Sequence, residues 1–227
     1  MALSSPIKAA APHSEAELWQ RALALAGLSL AELADSLHHQ VPKTLLHHKG
    51  WAGQLLEQAL GADAKSRQQP DFTAIGVELK TVPLSHSGQP LESTYVCTVP
   101  MLGEDCGCWL DSWVSRKLSR VLWLPLQGER TLTVAERRIG WPKLWSPSKS
   151  QQQRLQCDWE ELTELILQGQ IEQIHGKMGQ VLQIRPKAAH SRVRVTAIGS
   201  EGELIQTNPR GFYLRPAFTA AILSSEC

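Results

Sequence analysis

Between residues 70 and 80 the chain reads Pro70-Asp71, six further residues, then Glu78-Leu79-Lys80. Two carboxylates and a lysine on adjoining short strands are what metal-assisted phosphodiester hydrolysis requires. Hard carboxylate oxygens suit Mg²⁺, which keeps several waters and takes a substrate phosphate as a further ligand. Such an ion acidifies an attacking water and offsets charge that builds on the phosphate. Side chains two apart on a strand share a face, so Glu78 and Lys80 converge while Leu79 turns to the core. The ammonium can then orient the water or stabilise the phosphorane oxygens. A charged pair within an apolar strand is costly unless it is paired or binds a metal. That cost separates this triplet from Asp63-Ala64-Lys65, which has the same pattern but sits in the polar loop 62–70 and reads as a solvated pair without a role. Glu57, one residue after Leu56 on a preceding helix, is a further acid for the site; a solvated helix glutamate is the alternative.

The elements that must position these groups follow from periodicity and capping. Residues 14–26 carry helical spacing of Leu18, Ala22, Leu25 and Ala26, with Ser14 as N-cap and Glu17 three residues on. Residues 29–37 repeat the pattern with Ser29 and Glu32, and a third helix runs from Trp51 to Leu60 between Gly50 and Gly61. The period then changes. Phe72, Ala74 and Ile75, then Val77, Leu79 and Val82, alternate as two short strands bent at Gly76. Residues 94–99 form another strand, 109–120 a helix bearing Arg116, Lys117 and Arg120, and 121–126 an apolar strand buried on both faces. The longest helix spans 146–168, strands follow at 181–184 and 211–214, and a short helix closes the chain at 218–223. Helices first, then strands interrupted by helices, predict an α/β fold around a central mixed sheet.

Composition sets bounds. The 227 residues suffice for one sizeable core, predicted as a single domain over 1–227 with a loose tail at 1–14. No apolar run is long enough to span a bilayer, and the N-terminus lacks an apolar signal region. Five cysteines, an odd number, point to reduced thiols and the cytoplasm. Cys97, Cys106 and Cys108 lack the second pair that a zinc site needs. Net charge is only +1, but residues 1–113 hold 7 Lys/Arg against 12 Asp/Glu, and residues 114–227 hold 16 against 10. An acidic metal-binding half beside a basic phosphate-binding half fits that asymmetry. Arg116, Arg120, Arg137, Arg138 and Lys143 are the phosphate-contact candidates.

Several longer blocks carry a resemblance: Lys49-Gly50-Trp51, Leu56-Glu57, Asp71-Phe72, Gly76-Val77-Glu78-Leu79-Lys80-Thr81, Lys117-Leu118, Arg120-Val121-Leu122-Trp123, Leu144-Trp145-Ser146-Pro147, Gln183 to Ala189, and Pro209 to Leu214. Over about residues 15–220 the chain resembles the MutH family of DNA mismatch-repair endonucleases. The resemblance implies a restriction-endonuclease-like fold of the PD-(D/E)xK type, with two lobes around a DNA cleft. It implies Mg²⁺-dependent nicking of double-stranded DNA at GATC, on the strand whose adenine is unmethylated, by a monomer stimulated by the ATPase MutL. Asp71, Glu78 and the Leu79 carbonyl would then hold the metal, Glu57 would serve a second metal position, and Lys80 would be the catalytic lysine, with Lys117 nearby. Lys187 and Tyr213 would read the GATC bases, with Lys49, Arg185 and Tyr95 also on the DNA. Lys187 ends an apolar strand, from which a lysine can reach guanine O6 and N7 in the major groove. Two other functions remain open: a related restriction-type enzyme that cuts both strands, and a sequence-specific DNA-binding protein whose carboxylates are structural. A double-strand cutter needs two active sites, and the chain shows no internal duplication.

Overall fold

In a computed structural model, the chain is described over residues 9–46, 48, 50–64, 69–104, 107–187 and 192–225. Among these the helices are α1 (Glu15–Leu25), α2 (Leu30–Ser36), α3 (Trp51–Leu60), α4 (Trp113–Leu118), α5 (Lys149–Leu167) and α6 (Pro216–Ser224). The strands are β1 (Glu78–Leu84), β2 (Thr94–Thr98), β3 (Val121–Gln127), β4 (Lys143–Trp145), β5 (Leu182–Pro186), β6 (Val195–Ile198), β7 (Leu204–Thr207) and β8 (Arg210–Leu214). The chain divides into two units, Met1–Glu92 with Arg120–Trp145, and Ser93–Ser119 with Ser146–Cys227. No helix among the described residues is long and apolar enough to cross a membrane.

In the first unit, serine caps start the helices where the sequence places them. Ser14 accepts the Glu17 N–H, and Ser29 and Glu32 form a complete capping box, each side chain taking the other's backbone N–H. Glu17 instead accepts from the His13 N–H at 2.8 Å. The helix α3 stops at Gly61, whose φ of +86° needs glycine and whose missing Cβ would lie 2.1 Å from the Ala10 carbonyl oxygen. That carbonyl accepts from the Arg21 guanidinium at 2.6 Å, and the Ala9 N–H donates to the Gln58 carbonyl. Residues 9–14 are therefore docked on the helices, so for them the expectation of a loose tail does not hold; residues 1–8 of that expected tail lie outside the described residues.

The sheet of this unit has the order β1-β3-β4, with β1 parallel and β4 antiparallel to β3. Leu79 and Leu122 join Leu18, Leu30, Leu56 and Leu60 in the core against the helices. Each such side chain contributes roughly 1.5–3 kcal/mol by leaving water. Residues 121–124 have no exposed surface, as an apolar strand buried on both faces requires. Of the two strands expected around Gly76, only the second forms. Residues 72–77 instead close a tight loop through a single bridge between Phe72 and Val77.

In the second unit β2, β8 and β5 form an antiparallel sheet in that order, and β6 and β7 pair as a hairpin. The helix expected over 109–120 is broken at Ser112. Its extended ψ of 149° ends a 3-10 turn at Trp109–Asp111, and its side chain caps α4 by accepting the Ser115 N–H. The cap of α5 is Ser148 rather than Ser146, because Pro147 disfavours helical backbone at 146 and Ser148 completes a box with Gln151. The fold is mixed α/β as predicted. Among the described residues, parallel and antiparallel pairing meet only in the β1-β3-β4 sheet, and the other strands form separate small sheets.

Candidate active site

β1 is an edge strand, and the Glu78 N–H is taken by the Arg120 carbonyl at 2.9 Å, toward β3. Backbone groups alternate sides along a strand, so the N–H and carbonyl of Leu79 point to the open edge. There the Leu79 N–H donates to Asp71 Oδ2 at 2.9 Å. This bond sets the Asp71 carboxylate beside the backbone between Glu78 and Lys80, on the side where the Leu79 carbonyl emerges. Glu78 and Lys80 themselves lie on the sheet face opposite Leu79, in register with Val121 and Trp123. Both are buried, at 2% and 8% exposure, and Lys80 Nζ donates to Glu78 Oε1 at 2.5 Å. Across the same face Trp123 and Trp145 meet edge to face, with ring centroids 6.1 Å apart. Glu78 and Lys80 thus share a face, as the two-residue period predicts, and the Asp71 carboxylate lies at the Leu79 peptide between them.

The loop before this strand gives Asp63 a role, contrary to the expectation of a solvated acid. The backbone N–H groups of Asp63 and Ala64 both donate to the Asp71 carbonyl, at 2.9 and 3.2 Å. The Asp63 carboxylate accepts from the Thr73 N–H at 2.9 Å and from Thr73 Oγ1 at 2.6 Å. Asp63 is therefore not an idle loop acid. It clamps the segment 71–73 from which the Asp71 side chain projects. Lys65 lies outside the described residues.

Two carboxylates and a backbone carbonyl at a strand edge make a hard oxygen donor set. That set fits Mg²⁺, which uses one or two protein carboxylates and completes its shell with water and phosphate. Among the described residues no three His, Cys, Asp or Glu side chains gather so as to hold one metal ion, so Glu57 does not complete a three-acid cluster with Asp71 and Glu78. Glu57 sits in the last turn of α3, where its carbonyl accepts the N–H groups of Gly61 and Ala62. Lys117 is buried in the last turn of α4, in the second unit. Lys49 lies outside the described residues.

A second group of predicted residues converges on one face of the β2-β8-β5 sheet. The register shifts between Tyr95 and Cys97, where an extra residue bulges from β2. Tyr95 pairs with Tyr213, and Thr98 with Gly211; across β8, Gln183 pairs with Tyr213 and Arg185 with Gly211. All of these share one face, while Phe212, Leu214, Ile184 and Leu182 are buried on the other. The tyrosine rings meet edge to face at 5.4 Å between centroids, and Lys187 Nζ lies 3.1 Å from the Tyr95 ring centroid. Arg185 donates to Ser93 Oγ at 3.1 Å, as does Gln183 at 2.8 Å.

The entry to β5 is held by Asp158, 4% exposed, whose carboxylate accepts the N–H groups of Gln180, Val181 and Leu182 at 2.6–2.9 Å. Arg215 closes the same turn by donating to the carbonyls of Gly176, Met178 and Gly179. Neither residue carried a local sequence signal. Arg120, expected on phosphate, is engaged by Glu15 in a two-bond ion pair at 2.6 and 2.9 Å. That pair holds the Glu15 carboxyl below the ordinary glutamate range, through the Arg120 hydrogen bond above all. Arg138 donates to the Gly27 carbonyl, and exposed Arg116 lies 3.6 Å from Asp111. Among the cysteines, Cys97 is buried, and Cys108 and Cys157 are exposed thiols.

Comparison with known proteins bears on this geometry. The family model described as DNA mismatch repair enzyme MutH matches residues 60–158. A DNA mismatch repair protein MutH from Vibrio cholerae serotype O1 is 54% identical over 213 residues, covering 94% of this chain and 96% of that protein. The chain belongs to the MutH family. MutH proteins from Serratia proteamaculans and Pectobacterium atrosepticum are 49% and 50% identical, over 99% and 98% of this chain and 98% and 96% of theirs. The stretch that matches the MutH model contains Asp71, Glu78, Leu79, Lys80, Tyr95 and Lys117, together with Asp63 and Thr73. Membership in MutH also gives the fold, which is restriction-endonuclease-like.

Proposed function

We propose that this chain is a Mg²⁺-dependent endonuclease that nicks the unmethylated strand of GATC sites in methyl-directed mismatch repair, as a monomer stimulated by a MutL-type ATPase. The observation that carries the reading is the buried Glu78–Lys80 pair, 2.5 Å apart, with the Asp71 carboxylate tied to the peptide between them. Asp71, Glu78 and the Leu79 carbonyl would hold the ion, and Glu57 is the acid left for a second one. When bound, the ion acidifies a water and offsets negative charge on the phosphate. Lys80, restrained by Glu78, presents its ammonium to that water and to the phosphate oxygens as negative charge grows on them. Its charge is pre-positioned, so little reorganisation is needed at the moment of reaction.

Recognition falls to the β2-β8-β5 face. Lys187 reaches guanine O6 and N7, and Tyr213 forms the wall that an N6-methyl on adenine would meet. Tyr95, Arg185 and Lys49 complete the DNA contacts. Stimulation by MutL rests on membership in the mismatch-repair family. Purified protein incubated with supercoiled plasmid carrying unmethylated GATC sites tests the activity. Open-circle product that requires Mg²⁺ is expected. Linear product from the outset would make the chain a double-strand cutter, and retained supercoiling with tight binding would make it a binding protein.

A further inference from the structure

The tyrosine pair owes its closeness to an absence. Gly211 lies on β8 between the two rings on the same sheet face. A Cβ there would stand 2.9 Å from Tyr95 Cε2, 3.1 Å from Tyr213 Cε2 and 3.3 Å from the Cys97 carbonyl oxygen. Its φ is not in the left-handed region, so conformation does not demand glycine at this position; the space taken by the rings does. At the far end of the Tyr95 ring, the hydroxyl lies 3.0 Å from Thr98 Oγ1. Residues three apart on a regular strand face opposite ways, and the bulge at Val96 is what turns Thr98 to the Tyr95 face. The ring so fixed is the platform for the Lys187 ammonium, 3.1 Å from its centroid. Attraction of an ammonium to an aromatic face is strongest over the ring, so the position of the ring sets the position of the charge.

We propose that Gly211 and Thr98 are specificity-positioning residues: the first makes room for the Tyr95–Tyr213 contact, the second pins the Tyr95 hydroxyl, and together they place Lys187 for base reading. This rests on the reading above that Lys187 and Tyr213 contact the GATC bases. Neither residue touches DNA in this scheme. Both act through Tyr95.

The experiment measures kcat/KM for nicking at GATC and at a site with one base changed, using full-length wild type, Gly211→Ala, Tyr95→Ala, the double variant, Thr98→Val, Thr98→Ser and Lys187→Ala. Melting temperature is followed for each. Gly211→Ala is expected to lower discrimination about tenfold, short of the roughly 100-fold that a full 1 Å misplacement can cost. In the Tyr95→Ala background the same substitution is expected to cost nothing further, because the ring it displaces is gone. Thr98→Val is expected to lose a few-fold in discrimination, and Thr98→Ser, which keeps the hydroxyl, to restore it. Equal losses for Gly211→Ala in both backgrounds, or a loss matched by the same fall in melting temperature for Thr98→Val and Thr98→Ser, would overturn the proposal. So would wild-type discrimination in Gly211→Ala alongside a defective Lys187→Ala. Wild-type discrimination in Lys187→Ala would overturn the base-reading assignment itself and the proposal with it.

Discussion

Replacing Glu78 and Lys80 together should separate what the pair does for chemistry from what it does for the fold. Both side chains are buried, at 2% and 8% exposure, and 2.5 Å apart. Breaking a buried ion pair by removing one partner costs roughly 3–5 kcal/mol. At about 2–4 °C per kcal/mol for a chain of this size, Glu78→Ala or Lys80→Ala should melt roughly 6–20 °C lower than wild type. Replacing both by apolar residues of similar volume, Glu78→Leu with Lys80→Met, removes two desolvation penalties along with the attraction. Such swaps are typically neutral or stabilising by about 1–4 kcal/mol. The double variant should therefore melt at or above wild type while nicking no DNA. Thermal unfolding monitored by tryptophan fluorescence gives the melting temperature, since Trp123 and Trp145 lie on the same sheet face. A plasmid-nicking assay gives the activity. A double variant as unstable as the singles would mean that the pair holds up the fold, and the case for charges retained for catalysis would fail.

Other outcomes follow from the same geometry. Asp63→Ala removes two hydrogen bonds to Thr73, about 1–2 kcal/mol together, and should lower kcat about tenfold through a misplaced Asp71; wild-type kcat with unchanged KM would show that the clamp is dispensable. Glu15→Gln should cost at most about 1 kcal/mol near neutral pH, because the Arg120 pair is partly solvent-exposed. The Glu15 pKa is depressed in the folded state, so this stabilisation is present above the ordinary glutamate range and is lost as pH falls through the lowered value. Melting curves of wild type and Glu15→Gln should converge in acid, and a gap that widened there would refute the assignment. Asp158→Ala strands three backbone donors at the start of β5 and should cost roughly 3–5 kcal/mol, lowering GATC discrimination in the protein that stays folded; a near-neutral melting shift would contradict the role given to that carboxylate.

What the sequence made legible was chiefly local. The serine caps of α1 and α2 and the glycines around α3 involve partners within four residues, so their pattern is written in consecutive letters. The same is true of Glu78 and Lys80, whose meeting needs only the two-residue period of a strand. Asp71 came into reach because one tight loop, 72–77, separates it from β1. Contacts over longer spans were not legible. Asp63 meets Thr73 ten residues on, Asp158 meets the chain more than twenty residues later, and Arg120 meets Glu15 across 105 residues. The hairpin β6-β7 has no legible pattern because its strands are four residues each and its second is largely exposed, so neither shows a clean apolar alternation. The boundary of α5 shifted by three residues because Pro147 disfavours helical backbone at Ser146 and Ser148 forms the capping box with Gln151. Gly211 stands in one of the blocks that carry the resemblance, yet its steric role comes from the Tyr95 ring brought alongside by the pairing of β2 with β8, a long-range contact that no letter pattern announces.

The central claim is that one active site cuts one strand, chosen by methylation. The most direct measurement uses a linear duplex with a single hemimethylated GATC site and a different label on each strand, incubated with the protein and Mg²⁺. Cleavage confined to the unmethylated strand is expected, abolished by chelation and by Glu78→Ala, whose binding to the duplex persists. Equal cutting of both strands, or cutting that survives loss of Glu78, would contradict the assignment of the site and of its function.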